Sequence, residues 1–275
     1  MIVHLGCYKT GTSSIQNRLY RMRDSLASAG ILYPTTGLHH AEPEVGVRHA
    51  RLVYAYYNRP EAWQRSADRL VDEIEGSDAR VIVLSAEAWA NPQHVESLGA
   101  LVDKLNRHLS LRTRGIIVFR NRLEHARSVY REFTHRRGNV APFRQFVHNR
   151  IGMFDYVQLL ALFEGVFDAV EALNYHAEGS LAAAFLSRIG YTGALETDGN
   201  RYNPGLTAVE AEVARLMNRR KLRPELDFRD VVSALCARAP ELFGGRFAEK
   251  GGEAVLQREG HRPKRFRKLS GLSRA

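Results

Sequence analysis

Residues 2–14 read IVHLGCYKTGTSS, and this stretch decides the fold. The apolar run 2–5 predicts a buried strand that ends at Gly6, and apolar residues at helical spacing begin at Ile15. A strand, a small-residue loop with one lysine, Lys9, and then a helix bring unpaired backbone N–H groups, hydroxyls and an ammonium around one point. Such a point suits a multiply charged, phosphate-like group.

The loop differs from the P-loop of nucleotide triphosphatases. Gly6 and Gly11 have the P-loop separation, but that motif places its lysine directly after the second glycine. Here Thr12 follows Gly11, and the lysine lies inside the loop. No aspartate stands in an obvious position for a magnesium ion. Taken alone, the stretch also fits an ordinary turn with an exposed lysine.

Composition indicates a globular protein. The chain has 275 residues, of which 44% are hydrophobic and 25% charged, enough for one large α/β domain or two small ones. It contains no apolar run of about 18 residues and no signal-peptide pattern at its amino terminus. Two cysteines, Cys7 and Cys236, cannot form a disulfide framework. We therefore expect a soluble cytoplasmic protein.

The remaining pattern predicts an α/β fold with a central, mainly parallel sheet and a helical C-terminal portion. One helix is predicted from Ile15 to a cap at Gly30. The other strands are predicted near 31–33, 80–84, 115–119 and 168–174. The other helices are predicted near 48–58, 60–75, 93–108, 142–149, 155–164, 180–189 and 207–219. We expect a single domain over 1–257.

A second motif follows the strand 115–119. Residues 120–130 read RNRLEHARSVY. Arg120 presents a planar guanidinium that binds phosphate through two hydrogen bonds. Ser128, two turns into the following helix, offers a hydroxyl to the same group. Taken singly, Arg120 also fits a salt-bridge partner at the end of a strand.

Together, the two motifs resemble those of sulfotransferases that use 3′-phosphoadenosine 5′-phosphosulfate (PAPS), of the soluble bacterial type. The first is similar to their 5′-phosphosulfate loop and the second to their 3′-phosphate signature, although Arg122 replaces the usual proline and Glu124 the usual aspartate. The resemblance covers the first half of the chain well. In the second half it depends on residues 201–206, where glycine replaces a small hydroxyl residue and Arg201 is a candidate contact to the nucleotide end; a turn before a helix explains this segment equally well.

The resemblance implies a P-loop-like three-layer fold and a reaction. A sulfuryl group would pass from PAPS to a hydroxyl or amine, of a carbohydrate or glycolipid acceptor, without a metal ion. Lys9 would neutralise the leaving oxygen. The implied cofactor-binding residues are Lys9, Thr10, Gly11, Thr12, Ser13, Ser14, Arg120, Ser128 and Arg201.

The reaction also needs a base that takes the proton of the acceptor. Glu87 is the first candidate, because it stands three residues past the strand 80–84, where related enzymes place a histidine or glutamate. His49, beside a long polar loop, is the second, followed by His39 and His40. Trp89 is a candidate stacking surface for the acceptor, or a core residue.

Two other functions remain open at this level. One is an ATP-dependent small-molecule kinase with a modified P-loop. The other is a non-enzymatic binder of polyanions, because the segment 258–275 contributes +6 of the formal net charge of +10. This basic tail is a candidate contact for an anionic membrane surface or polyanion, or else a solvated end. No nucleic-acid-binding module is recognisable, so no nucleic-acid partner is expected.

Overall fold

The computed structural model describes residues 1–39, 47–176, 180–194 and 206–219. Its strands are β1 (Ile2–Leu5), β2 (Ile31–Leu32), β3 (Val81–Ala86), β4 (Arg114–Phe119) and β5 (Ala169–Asn174). Its α-helices are α1 (Thr12–Arg21), α2 (Arg23–Ser28), α3 (Ala50–Asn58), α4 (Pro60–Glu75), α5 (Val95–Leu109), α6 (Arg122–Arg137), α7 (Phe143–Asn149), α8 (Tyr156–Glu164), α9 (Leu181–Arg188) and α10 (Ala208–Arg219). Strands and helices alternate up to β4, and helices predominate after it.

The described strands form one five-stranded sheet in the order β2-β3-β1-β4-β5. Every pairing between these strands is parallel. This confirms the predicted α/β fold, and the sheet is wholly parallel where a mainly parallel one was expected. β1 occupies the centre, and all four of its residues are buried. A continuous apolar strand at the centre is what a parallel sheet covered on both faces requires.

Helices cover both faces of the sheet, giving three layers. Because side chains alternate along a strand, Val3 and Leu5 join the core formed with α3, α4, α5 and α8. Ile2 points the other way, into the core formed with α1, α2 and α9. A third cluster joins α6, α7 and α10, so the helical C-terminal portion packs around α6.

The predicted helix from Ile15 to Gly30 is divided in the structure. Met22, with φ −92° and ψ 10°, separates α1 from α2. Leu19, Met22 and Leu26 nevertheless all stay buried against the sheet, so the apolar spacing was interpreted correctly as an inward face. Gly30 ends the segment with φ 75°, a conformation that favours glycine.

Several predictions lie outside the described residues. They concern His40, Arg201, the domain limit at residue 257 and the basic tail 258–275. The other predicted elements are present, with ends shifted by one or two residues.

Candidate functional site

The carboxyl ends of three neighbouring strands bring the two sequence motifs to one edge of the sheet. Leu5 of β1 pairs with Ala86 of β3 and with Ile117 of β4. The loop that starts at Gly6 therefore leaves the sheet level with Glu87. β4 continues two residues beyond its last pairing with β1 and ends at Phe119, so Arg120 directly follows the strand. In open parallel sheets, ligands bind at this edge.

Two glycines shape the loop between β1 and α1. A Cβ atom on Gly6 would lie 2.4 Å from the side chain of Thr12, so only glycine lets the loop and the helix approach this closely. Gly11 has φ 78° and Lys9 has φ 64°, both in the left-handed region. For lysine this backbone conformation costs about 1–2 kcal/mol. Such strain is typical of backbone held for binding.

The loop hydroxyls differ in their roles. The hydroxyls of Thr10 and Thr12 donate to the carbonyl of Cys7, at 2.8 Å and 3.2 Å. Both threonines are buried, so their hydroxyls hold the loop in shape. Ser13 and Ser14 are half-buried and lie in the first turn of α1. The first backbone N–H groups of a helix have no partner within the helix, so this turn can donate to an anion. The expectation that the Thr12 hydroxyl holds an anion is therefore not supported, whereas its backbone N–H remains suited to one.

Lys9 lies opposite an acidic residue of α6. Its Nζ is 3.5 Å from Oε2 of Glu132, whose Oε1 accepts from Nε of Arg136 at 3.2 Å. Glu132 was missed by sequence reasoning, although its i+4 spacing from Ser128 places both on one helical face and was a usable signal. An anion bound to the loop would compete with Glu132 for Lys9.

Glu87 begins a short 3₁₀ turn directly after β3. Burial raises the pKa of its carboxyl group, while the positive charges of Arg48 and Lys9 act in the opposite direction and Glu132 adds to the rise. These charges therefore act on Glu87 within one cluster. Arg48 was also missed by sequence reasoning, and it follows a polar loop that offers no periodic signal.

Arg120 is held by neighbours from two other elements. Its Nε donates to Oε2 of Glu124 at 3.1 Å, and its guanidinium carbon lies 4.8 Å from the centre of the Tyr175 ring. The same Glu124 oxygen is 2.7 Å from Nε2 of His176, and these two partners lower the pKa of the Glu124 carboxyl group. Ser128 is half-buried on α6.

Tyr175 connects the two motifs. It follows the carboxyl end of β5, and its ring carbon Cε2 lies 3.1 Å from the position that a Cβ atom would take on Gly11. The ring thus lies between the loop of the first motif and Arg120 of the second. The predicted strand 168–174 was a usable signal for this residue, since it ends at the same edge as the other strands.

His49 is placed as a structural residue, which argues against its role as a base. It is fully buried, its Nε2–H donates to the carbonyl of Pro34 at 3.0 Å, and its Nδ1 accepts from the N–H of Ser85 at 3.0 Å. Burial lowers the pKa of the His49 ring to about 4. Both ring nitrogens are therefore engaged in hydrogen bonds with the protein backbone.

Trp89 and His39 also have defined places in the structure. Trp89 is fully buried in the core that contains α3, α4 and α5, so of its two predicted roles the structure favours the core residue over the stacking surface. His39 donates its backbone N–H to the carbonyl of Arg48 at 2.7 Å, and its Nδ1 has no hydrogen-bond partner among the described residues.

The described residues include neither a candidate metal centre nor a helix suited to a membrane. Within 1–39, 47–176, 180–194 and 206–219, no group of three or more His, Cys, Asp and Glu side chains is placed to hold a metal ion. No helix in these ranges is long and apolar enough to cross a membrane.

Comparisons with known proteins give a structural similarity but no match in sequence. No protein-family model matches the chain, and no curated protein matches it. Among solved structures, the chain is similar to the crystal structure of a sulfotransferase from Alicyclobacillus acidocaldarius, with a TM-score of 0.46 and 14% sequence identity over 93% of this chain and 95% of that chain. At this TM-score and sequence identity, the similarity transfers no function to the chain.

Proposed function

We propose that the chain is a PAPS-dependent sulfotransferase that acts on a hydroxyl or amine of a carbohydrate or glycolipid. The observation that carries this proposal is the juxtaposition of the Lys9 loop and Arg120 at the ends of paired strands β1 and β4. Each motif alone fits a simpler explanation. Two anion-binding motifs, each with a cationic side chain, lie at one edge of a parallel sheet. This arrangement favours a nucleotide with anionic groups at both its 5′ and 3′ ends.

In this proposal the chain binds the donor by charge and hydrogen bonding. The backbone of the loop 6–11 and the first turn of α1 hold the 5′-phosphosulfate. Arg120 and Ser128 hold the 3′-phosphate, and Arg120 exchanges Glu124 for it. Lys9 leaves Glu132 for the bridging oxygen and neutralises the charge that develops there as the sulfur–oxygen bond breaks.

Glu87 is the proposed base. It removes the proton from the acceptor while the acceptor oxygen or nitrogen forms the new bond to sulfur, and 3′-phosphoadenosine 5′-phosphate leaves. A carboxyl group whose pKa is raised by burial is a stronger base than an exposed one, which supports this role. Both ring nitrogens of His49 are hydrogen-bonded to the backbone. Of the two candidates, Glu87 is therefore the one that we propose as the base.

Exposed tyrosines on α3 support a saccharide acceptor. Tyr54 and Tyr57 are 45% and 42% exposed, unusual for aromatic side chains. Both rings lie beside His94, which follows the Glu87 turn, at 6.1 Å and 5.4 Å between ring centres. Burial raises the pKa of the Tyr8 hydroxyl in the loop, and the neighbouring Tyr54 adds to the rise. Exposed tyrosines offer the flat, amphipathic surface on which sugar rings stack.

A thermal-shift experiment tests the proposal. Adenosine 3′,5′-bisphosphate at about 100 times its dissociation constant should add roughly 2.7 kcal/mol to the free energy of unfolding, and thus raise the midpoint by several degrees. Adenosine 2′,5′-bisphosphate is the matched control, since it carries the same groups with one phosphate moved. It should stabilise the protein much less.

Other outcomes favour the alternatives. Stabilisation by ATP with magnesium, and not by the 3′,5′-bisphosphate, would favour the kinase. Stabilisation by heparin alone would favour a polyanion-binding protein. Equal stabilisation by the 2′,5′ and 3′,5′ isomers would remove the 3′-phosphate site from the proposal.

A further inference from the structure

A pair of side chains, the buried His125 and the half-buried Tyr156, connects the two motifs. His125 lies on α6 and is 1% exposed. Its Nε2 is 2.7 Å from the carbonyl oxygen of Tyr8, the residue before Lys9, and its Nδ1 is 2.8 Å from the hydroxyl of Tyr156. That hydroxyl lies 2.9 Å from the carbonyl oxygen of Arg120. The contacts form a continuous bridge from one loop to the other.

The donors in this bridge follow from the chemistry of its ends. A carbonyl oxygen only accepts, so Nε2 of His125 carries a proton and donates to Tyr8. In the neutral ring, Nδ1 is then an acceptor, so the single hydroxyl proton of Tyr156 is shared between two acceptors, Nδ1 and the Arg120 carbonyl oxygen. The bridge thus has two protons for its three contacts. Burial lowers the pKa of the His125 ring to about 4, so the ring is neutral at neutral pH. The bridge therefore acts through geometry and adds no positive charge to the site.

Packing holds both side chains of the bridge in place. The Tyr156 ring stacks on Phe119, the last residue of β4, with 4.1 Å between ring centres and 16° between planes. The His125 ring meets the edge of Phe154 at 5.2 Å. Neither side chain can change its direction without losing these contacts, so the separation of the two carbonyl groups is well defined.

The bridge lies where the sheet no longer controls the spacing. The ladder between β1 and β4 ends at Leu5 and Ile117. Tyr8 and Arg120 each lie three residues further on, beyond the last hydrogen bond that joins these two strands. Beyond that point, side chains join the loop with Lys9 to the strand end with Arg120: those of this bridge and the ring of Tyr175.

We propose that His125 and Tyr156 are positioning residues that hold the Lys9 loop and Arg120 at the separation required by a nucleotide with anionic groups at both its 5′ and 3′ ends. This inference rests on the proposed function. A ligand that contacts both motifs needs their correct spacing, whereas a ligand that contacts only one does not. The bridge should therefore control the preference for the 3′-phosphorylated nucleotide.

The test compares two ligands by calorimetry. Adenosine 3′,5′-bisphosphate reaches both motifs, and adenosine 5′-phosphosulfate lacks the 3′-phosphate. Tyr156→Phe removes one oxygen atom and keeps the ring that stacks on Phe119. It should weaken the bisphosphate about tenfold, the effect of one lost hydrogen bond at the strong end of its range, and the phosphosulfate by less than about threefold.

Tyr33→Phe is the matched control. The Tyr33 hydroxyl also lies 2.9 Å from a backbone carbonyl, that of Val47, and is more deeply buried than the Tyr156 hydroxyl, but it is not part of the bridge. Tyr33→Phe should lower the melting temperature to a degree similar to Tyr156→Phe, while leaving the ratio of the affinities for the bisphosphate and the phosphosulfate unchanged. His125→Gln keeps one amide donor and one acceptor and should retain more of that ratio than His125→Leu.

The outcomes separate this inference from the proposed function. A wild-type protein that prefers the bisphosphate, combined with an unchanged ratio in Tyr156→Phe, would overturn the positioning role alone. An equal loss for both ligands would assign Tyr156 to stability only. A wild-type protein that binds neither ligand would refute the proposed function and this inference with it. If His125→Leu does not fold, Tyr156→Phe still decides, because it removes a single oxygen.

Discussion

Lys9→Ala should distinguish a catalytic role of Lys9 from a structural one, because we expect a small loss of stability and a large loss of turnover. The side chains of Lys9 and Glu132 are 26% and 27% exposed, and such partly exposed ion pairs contribute about 0–1 kcal/mol. Alanine would keep the left-handed backbone, so the strain at this position should change little. We therefore expect a loss of less than about 1 kcal/mol in the free energy of unfolding. Loss of a fixed charge at a leaving oxygen costs about 3–4 kcal/mol at the transition state, a fall of about 10²–10³ in turnover.

The assay measures turnover of PAPS labelled in the sulfuryl group, with saccharide acceptors, alongside thermal unfolding. Arg136→Ala is the matched control, because Arg136 pairs with the other carboxylate oxygen of Glu132 at 3.2 Å. It removes an ion pair from the same glutamate but leaves the cation of the loop in place. Turnover in this control should stay within about threefold of wild type, since exposed pairs contribute so little.

Two results would refute the reasoning about Lys9. The first is turnover in Lys9→Ala close to that of the wild type, since then no charge at this position assists the leaving oxygen. The second is an equal fall of turnover in Lys9→Ala and Arg136→Ala, which would trace the effect to Glu132 and to the packing of α6 against the loop.

Three further predictions concern the other residues of the site. Arg120→Ala and Ser128→Ala should each weaken adenosine 3′,5′-bisphosphate more than adenosine 5′-phosphosulfate in calorimetry, because only the former carries a 3′-phosphate. Glu87→Gln should lower turnover by about 10²–10⁴ with little change in nucleotide affinity. Since the folded pKa of Glu87 is raised above 4.5, its protonation stabilises the wild type at low pH and this stability is lost as pH rises, so Glu87→Gln should gain relative stability towards neutral pH in thermal unfolding. His49→Ala should cost about 2–4 kcal/mol of stability, by leaving two buried backbone groups unpaired and a cavity, with nucleotide affinity intact.

Each of these predictions has its own contrary result. Equal weakening of both nucleotides would place Arg120 and Ser128 away from the 3′-phosphate. Wild-type turnover in Glu87→Gln would exclude the glutamate as base, and relative stability that stays constant with pH would show that its pKa is not raised. A stable His49→Ala protein with no turnover would return the histidine to the site.

The sequence determined the layers of this protein because their signals are local. An apolar run such as 81–84 must be buried on both faces, and apolar residues at helical spacing must face a core, whatever the rest of the chain does. The order of strands and helices then led to a parallel sheet, and the carboxyl ends of its strands indicated where Lys9, Glu87 and Arg120 meet. Glycine is likewise a local signal, so Gly6 and Gly11 indicated a tight turn from the sequence alone.

The tertiary structure alone decided which side chains act on those residues. His49 follows a polar loop and Glu87 follows a buried strand, and by residue type either can act as a base. Only the folded chain shows that both ring nitrogens of the histidine are hydrogen-bonded to the backbone. Likewise Trp89 fills the core, and His125 with Tyr156 joins two loops that are more than 100 residues apart in sequence. Such contacts depend on how elements pack against each other, and packing is set by the whole chain, so no local pattern in the sequence encodes them.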